Sequence, residues 1–354
     1  MQARLPNAQG AALGSDPSAA DRITMRPVAA KGLPKVVCRL IDEADLPEIA
    51  KLLTSGLPDP GRDLGYWQSG LARLALHSPP EGYPRFGYML ETEGRPIGVH
   101  LLICSAQPGG VRCSATGWFV REEFRQSVAA TRLMLRATKL PGAYVNFRPA
   151  PTVVPVLEAL GSRRISQGLY AALPLFARQS GDVQIEAWQG VRLQEADRRL
   201  LMDHTAFGCL GVWCRTRDGE QPLIFRRSWI KRRVPCAELI YCRSLEALET
   251  AAPALGRMLA SLGMPLLLVP TDRPLRGVPG RFFPARLPVY CRGEPAPPIA
   301  DLSYNYPAIF GSDVQYSGTL SRVLAVGARS LGYQRASARG TEDPRQHWQT
   351  GSGN

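Results

Sequence analysis

Apolar positions along the chain switch between a spacing of two and a spacing of three to four, the signature of strands alternating with helices. Residues 35–40 read as a strand, and Asp45 to Leu53 as an amphipathic helix with Leu46, Ile49, Leu52 and Leu53 on one face. Gly56 to Arg62 breaks the pattern, and Tyr66 to Leu76 resumes it as a second helix. Phe86–Glu93 and Pro96–Ser105 form a hairpin across Glu93-Gly94-Arg95. Val111–Val120 is the next strand, followed by a helix starting near Arg125 and running to about Leu140. Ala143–Phe147 reads as a strand, Val153–Leu160 as a helix stopped by Gly161, and Ile165–Leu173 as a closing strand. The predicted order is βααββ followed by βαβαβ.

The pattern then repeats. Arg39-Leu40 with Glu43-Ala44-Asp45 recurs as Arg192-Leu193 with Glu195-Ala196-Asp197, and Val111-Arg112-Cys113 as Val234-Pro235-Cys236. Ala129-Ala130 with Leu140 recurs as Ala251-Ala252 with Leu262, and Leu266–Pro270 reads as the buried strand of the second copy. Shared order at near-constant offsets argues for internal duplication. The larger offset at the first element assigns extra residues to the first copy, around Tyr66 to Phe86. The predicted organisation is a tail over 1–34, a domain over 35–175, a linker over 176–190, a second domain over 191–335 and a tail over 336–354. A single α/β domain followed by an unrelated one is the alternative.

Composition narrows the class. The 354 residues are 45% hydrophobic and 21% charged, which fits an ordinary globular chain of about two domains. The net charge of +13 attracts polyanions, and Phe225–Arg233 is one basic cluster, without the interleaved aromatics of a nucleic-acid module. The eight cysteines form no CxxC pair, several sit in apolar strands, and no secretory leader is evident at the start. Free thiols and a cytoplasmic location are therefore expected. The four histidines (His77, His100, His204, His347) have no metal-ligand spacing, so no metal is expected, and no run is long enough for a membrane span.

The chemistry concentrates in Trp118–Leu135. A strand ending in Trp118-Phe119-Val120 feeds a polar turn and then a helix, whose first N–H groups and positive dipole end suit an anion. This stretch, with the order of elements around it, resembles the GNAT superfamily of acyl-CoA-dependent N-acyltransferases. Val120 fits the valine ending the family's fourth strand, Arg125 its Arg or Gln, and Val128 and Ala130 its two glycine positions. Leu157-Glu158-Ala159-Leu160-Gly161 resembles the closing helix, and the likeness spans about Val37 to Leu173.

The resemblance implies an α/β (α+β) fold of two tandem GNAT-like mixed-sheet domains, the first more complete. It implies acetyl-CoA or another acyl-CoA as co-substrate, held by Phe119, Val120, Arg125, Gln126, Ser127, Val128, Ala129 and Ala130, and a small-molecule or saccharide amine as acceptor. Val128 departs from glycine. The family's acidic tyrosine falls on Leu157, and no carboxylate lies between Cys113 and Val120. His100, Ser114, Tyr144 and Asn146 remain as candidate catalytic groups on strands bordering the cleft. With an offset of 122, Arg125 maps to Ala247, Val128 to Thr250 and Ala130 to Ala252, and Glu246 and Glu249 place acid at the helix start, so the second copy reads as scaffold. Asp301–Tyr306 reads as a closing segment with exposed aromatics. Two other functions stay open: a tandem acyltransferase using aminoacyl-tRNA, with nucleic acid as partner, and a non-catalytic binding module.

Overall fold

The computed structural model describes residues 35–311, apart from 60, 167, 179–181, 231 and 232. The predicted tails 1–34 and 336–354, residues 312–335 of the second copy, His347 and part of the basic 225–233 cluster lie outside the described residues. The first copy runs β1 (Val37–Leu40), α1 (Leu46–Gly56), α2 (Leu64–Ala75), β2 (Gly87–Thr92), β3 (Arg95–Gln107), β4 (Gly110–Val120), α3 (Val128–Ala137), β5 (Ala143–Phe147), α4 (Val154–Ala159), β6 (Arg163–Arg164) and β7 (Gly168–Ala172). The second runs β8 (Gln184–Glu186), α5 (Glu195–Ala206), β9 (Leu210–Thr216), β10 (Gly219–Ile230), β11 (Val234–Tyr241), α6 (Leu245–Ser261), β12 (Leu266–Thr271), β13 (Gly280–Pro284) and β14 (Val289–Arg292), and α7 (Tyr306–Phe310) follows. Two helices separate β1 from β2 where one separates β8 from β9, so the extra residues of the first copy form a helix.

Local chemistry explains the boundaries. Glu93 and Gly94 both take positive φ, which closes the tight β2–β3 turn in the hand that matches strand twist. The Asp63 side chain accepts from Tyr66 N and starts α2. α3 begins at Val128 rather than near Arg125, because Glu122–Phe124 forms a single tight turn and the Ser127 hydroxyl caps Ala130 N.

The strands form two seven-stranded mixed sheets, in the orders β1-β2-β3-β4-β5-β14-β6 and β13-β7-β12-β11-β10-β9-β8. β4 runs parallel to β5 and β11 parallel to β12, and every other pair is antiparallel. This is the fold expected of two GNAT-like copies, with one addition. The closing strand of each copy crosses over: β7 lies beside β12 in the second sheet, and β14 lies beside β5 in the first. The segment expected to link two separate domains therefore leaves a strand already shared.

Both copies carry one extra residue at the same place in their fourth strand, at Gly117–Trp118 in β4 and at Ile240 in β11, an offset of 123. The helix caps match at a different offset, Ser127 with Ser244, which is 117. The turn in the second copy is thus six residues shorter, and the single offset of 122 is corrected: Arg125 corresponds to Cys242, and Ala130 to Ala247. Glu246 and Glu249 flank that helix start as expected, and both pair with Arg273.

α1 and α2 cover one face of the first sheet, where Ile49, Leu53, Trp67 and Leu71 pack on Val99, Leu101 and Ile103. α3 covers the other, with Leu133 and Ala137 against Leu102 and Tyr144. Cys104 and Cys113, opposite each other on β3 and β4, are joined as a disulfide, which corrects the expectation that all thiols are free. The cross-strand position brings these two side chains together. Cys38, Cys214, Cys236, Cys242 and Cys291 are free thiols.

Residues 300–311 thread between the copies. The aromatics expected to be exposed here are not: Tyr304 is buried and Tyr306 half-buried. Tyr304 donates to Asp203 at 2.7 Å and its N–H donates to His204 Nε2 at 3.1 Å, while His204 Nδ1 donates to Leu200 O at 2.8 Å. The Arg226 guanidinium, 1% exposed, donates to the carbonyls of Phe207, Ala308 and Gly311. That consumes one arginine of the basic cluster in the core.

Two outcomes are expected. Arg226→Met removes the donor these three carbonyls share, leaving Arg73 on Gly311 O and Cys209 on Ala308 O, and lowers unfolding stability by about 2–3 kcal/mol in urea titrations. Burial pushes the His204 ring down to about 4, against the hydrogen bond to Leu200 and the charge of Asp203. Its folded pKa lies below the unfolded value of roughly 6.5, so the unfolded chain binds the extra proton between them. Stability is complete above about pH 6.5 and falls as pH drops towards 4. A urea midpoint series should show this slope, shallower in His204→Gln.

Candidate functional site

The parallel pairing of β4 with β5 covers only Arg112 to Ala115 on β4 and Ala143 to Asn146 on β5. Beyond it β4 continues for five residues to Val120, while β5 ends one residue later at Phe147, its other edge paired with β14. The strands part at the bulge. Gly117 sits there at φ +56, a left-handed conformation that suits glycine. On the parted edge, Thr116 to Phe119 make no backbone hydrogen bond to the described residues.

The turn after β4 is built to leave amides at its far end. Phe124 N, Arg125 N and Ser127 N are used within the turn, and Ala130 N is held by the Ser127 cap. Val128 and Ala129 occupy the first two positions of α3, whose amides have no partner within a helix. Val128 is 68% exposed and lies in helical backbone, so its side chain projects into solvent without straining the turn. The Arg125 Nε donates to Val120 O at 2.9 Å, and its guanidinium lies 5.8 Å from the Phe119 ring centroid. Gln126 is exposed beside it. The eight residues expected around the cofactor thus form one continuous strand end, turn and helix start.

The candidate catalytic residues are dispersed over two faces. Phe119, Thr116 and Ser114 lie opposite Val99, Leu101 and Ile103, on the face covered by α1 and α2. Ser114 donates to the Asn305 side chain and is 2% exposed. His100 and Trp118 lie on the α3 face with ring centroids 6.1 Å apart. His100 Nδ1 and Trp118 Nε1 are both buried without a hydrogen-bond partner among the described residues, and burial pushes the His100 ring down to about 4. Tyr144 donates to Leu140 O at 2.8 Å, and burial pushes its phenol up to about 12. Asn146 is half-buried at the last paired position of β5.

Other residues at the cleft mouth escaped the sequence reading. A Cβ on Gly56 would lie 2.4 Å from the Phe119 ring, so the end of α1 rests directly on that ring. Tyr66 from α2 and Tyr306 from the start of α7 pack in the same cluster as Phe119, and their hydroxyls are hydrogen-bonded to each other. The Arg62 guanidinium lies 5.6 Å from the Tyr306 ring centroid. Arg148, just past β5 and in left-handed backbone, pairs with the buried Glu238 of β11 at 2.5 Å. The glycine inside an apolar strand was the one available signal for the bulge. Nothing local placed Tyr306, which is 240 residues from Tyr66.

The equivalent cleft of the second copy is filled. β11 and β12 pair only from Cys236 to Glu238, then part in the same way. There Leu302 N donates to Ile240 O at 2.8 Å and Cys242 N to Ala300 O at 3.1 Å, with Tyr241 and Asp301 bridged antiparallel. The chain's own backbone occupies that edge. Among the described residues no group of His, Cys, Asp and Glu could hold a metal, and no helix is long and apolar enough to cross a membrane.

No family profile and no curated protein matches the sequence. Among solved structures, the chain is similar to a GCN5-related N-acetyltransferase from Anabaena variabilis, at 10% identity, over 73% of this chain and 72% of that one, with a TM-score of 0.47. It is similar to Eis1 from Mycobacterium abscessus at 12% identity, over 73% of each chain, with a TM-score of 0.44. A tandem GNAT protein from the clavulanic acid biosynthesis pathway matches at 11% identity, over 74% of this chain and 99% of that one, with a TM-score of 0.43. These are likenesses of fold, and they are loose. The strand order, the two parallel pairs and the matching bulges describe the fold without them.

Gly117→Ala adds a Cβ 3.0 Å from Leu101 in left-handed backbone, and should cost about 1–2 kcal/mol of stability by urea unfolding. Gly82→Ala, at φ +81 with open space around it, isolates the backbone term and should cost less.

Proposed function

We propose that the chain is an acyltransferase that takes an acyl group from acetyl-CoA or another acyl-CoA and gives it to an amine, with the first copy as the working one. One observation carries this reading: the β4–β5 pairing ends at Ala115, and the β4 edge beyond it has no backbone partner among the described residues and leads through a bulge into a capped helix N-terminus. A pantetheine arm can pair with the free edge of Thr116 to Phe119 much as a strand would. The pyrophosphate lies against the Val128 and Ala129 amides, where the helix dipole is positive. Arg125 and Arg121 supply charge beside it. A small-molecule or saccharide amine enters from the α1 and α2 face, between Phe119 and the Tyr66–Tyr306 pair.

The filled cleft of the second copy supports one bound cofactor per chain. The cytoplasm, where acyl-CoA is available, is the proposed location. A donor on tRNA would need a cleft wide enough for an RNA end, and no feature of the described residues favours it over the smaller thioester.

A ligand that binds only the native state raises its stability, by roughly 2.7 kcal/mol at a hundred times its dissociation constant. Acetyl-CoA and free CoA should both raise the melting temperature, and calorimetric titration should give one site per chain. Arg125→Glu should remove the shift. Two sites per chain, or an unchanged shift in the variant, would put the pyrophosphate elsewhere.

A further inference from the structure

The closing helix of the first copy lacks the tyrosine that would protonate a departing thiolate, since Leu157 stands there and is buried. The structure supplies phenols at the cleft from another direction. Ser114 on β4 holds Asn305, and Asn305 caps α7 by accepting from Tyr306 N at 2.7 Å. α7 packs against β4 and against α2. The path of residues 301–305 follows β4 towards its bulge: Arg112 binds Asp301 and Ser303, and Ser114 binds Asn305. The next residue, Tyr306, packs against the same apolar cluster as Phe119, on the face of the first sheet covered by α1 and α2. Its ring stacks on Phe310 with centroids 5.2 Å apart, and Arg62 lies over it. Its hydroxyl meets that of Tyr66, so two half-buried phenols form a hydrogen-bonded pair in the cluster that holds Phe119.

We propose that the Tyr66–Tyr306 pair relays a proton from the attacking amine to the departing thiolate, with Tyr306 as the proton donor to sulfur. The inference rests on the acyltransferase reading and deepens it. The acceptor nitrogen attacks the thioester carbonyl carbon and a C–N bond forms. As the C–S bond breaks, the sulfur takes the Tyr306 hydroxyl proton. Tyr306 regains a proton from Tyr66, and Tyr66 takes the one shed by the attacking nitrogen. One proton moves from nitrogen to sulfur, and both phenols end as they began. No oxidant, metal or further reactant is needed.

The surroundings suit the task. Burial raises the Tyr306 phenol and Asp59 adds to the rise, while Arg62, Tyr66 and Arg148 oppose it. Burial and Tyr306 raise the Tyr66 phenol, with Arg62 and Arg73 opposing. Both groups hold their protons at neutral pH and are flanked by cations that steady a transient phenolate. The second copy, closed as a cofactor site, thus contributes a working side chain to the first through the segment that follows it.

The test uses the full chain, acetyl-CoA, and a panel of a polyamine, an aminoglycoside and an arylamine, with thiol release followed against pH. Tyr306→Phe should lower kcat about a hundredfold or more, the range expected for a lost general acid. The melting shift with CoA and the KM for acetyl-CoA should stay at wild-type values. Tyr66→Phe should lower kcat less, because solvent can return the proton. Replacing Tyr306 by 3-fluorotyrosine, a more acidic phenol of nearly the same shape, should move the alkaline limb of the kcat profile to lower pH, a change that a packing role would not produce. A kcat for Tyr306→Phe within threefold of wild type, or an unmoved alkaline limb with 3-fluorotyrosine, overturns the relay. So does a wild-type protein that binds CoA and releases no thiol with any amine. A wild-type protein whose melting temperature is indifferent to CoA overturns the cofactor reading instead.

Discussion

The exchange of closing strands is the constraint on which the molecule depends. β5 and β12 each end the consecutive part of a sheet, and an unpaired β5 or β12 would expose a row of backbone donors and acceptors in the middle of the fold. β14 pairs with β5 from Val289 to Arg292, and β7 pairs with β12 from Gly168 to Ala172. Each copy therefore completes the other's sheet, and neither has a closed core alone. A duplicated chain held in this way can let one copy drift in function, because that copy must still be present for the other to fold.

The segment after the exchange converts symmetry into difference. Residues 300–302 fill the parted edge of β11, and the same segment then delivers Asn305 and Tyr306 to the open side of β4. Arg226 and His204 fix it from the second copy, through carbonyl and amide contacts that admit few other geometries. Burying a guanidinium is costly, and three backbone carbonyls in the right places help offset that cost. The closed cleft and the furnished one are thus two ends of one stretch of chain.

Much of this was legible in the sequence, and the remainder has a common physical cause. The hairpin at Glu93-Gly94, the β4-turn-α3 unit and the duplication all rest on local periodicity, and periodicity reports contacts within a few residues. The destination of β7 does not. Its alternating pattern requires one buried face and leaves open which sheet supplies the neighbour. The Cys104–Cys113 bond, the buried Tyr304 and the Tyr66–Tyr306 contact are also set by register and threading between distant residues. Tyr306 lay out of reach of the sequence for that reason, since a motif is read along one copy and this side chain arrives after the other.

Val128 shows how a departure in a motif can be tolerated. A glycine serves where backbone must take positive φ or where a Cβ would block a close approach. Val128 has neither constraint, because the preceding turn and the Ser127 cap place it at the first position of a regular helix with its side chain outward. The left-handed residue the strand does need is Gly117, at the bulge, and there the sequence keeps glycine. Two physical features stand here, a parted strand and unpaired amides at a helix start. The letters of the turn can vary as long as those two features stand.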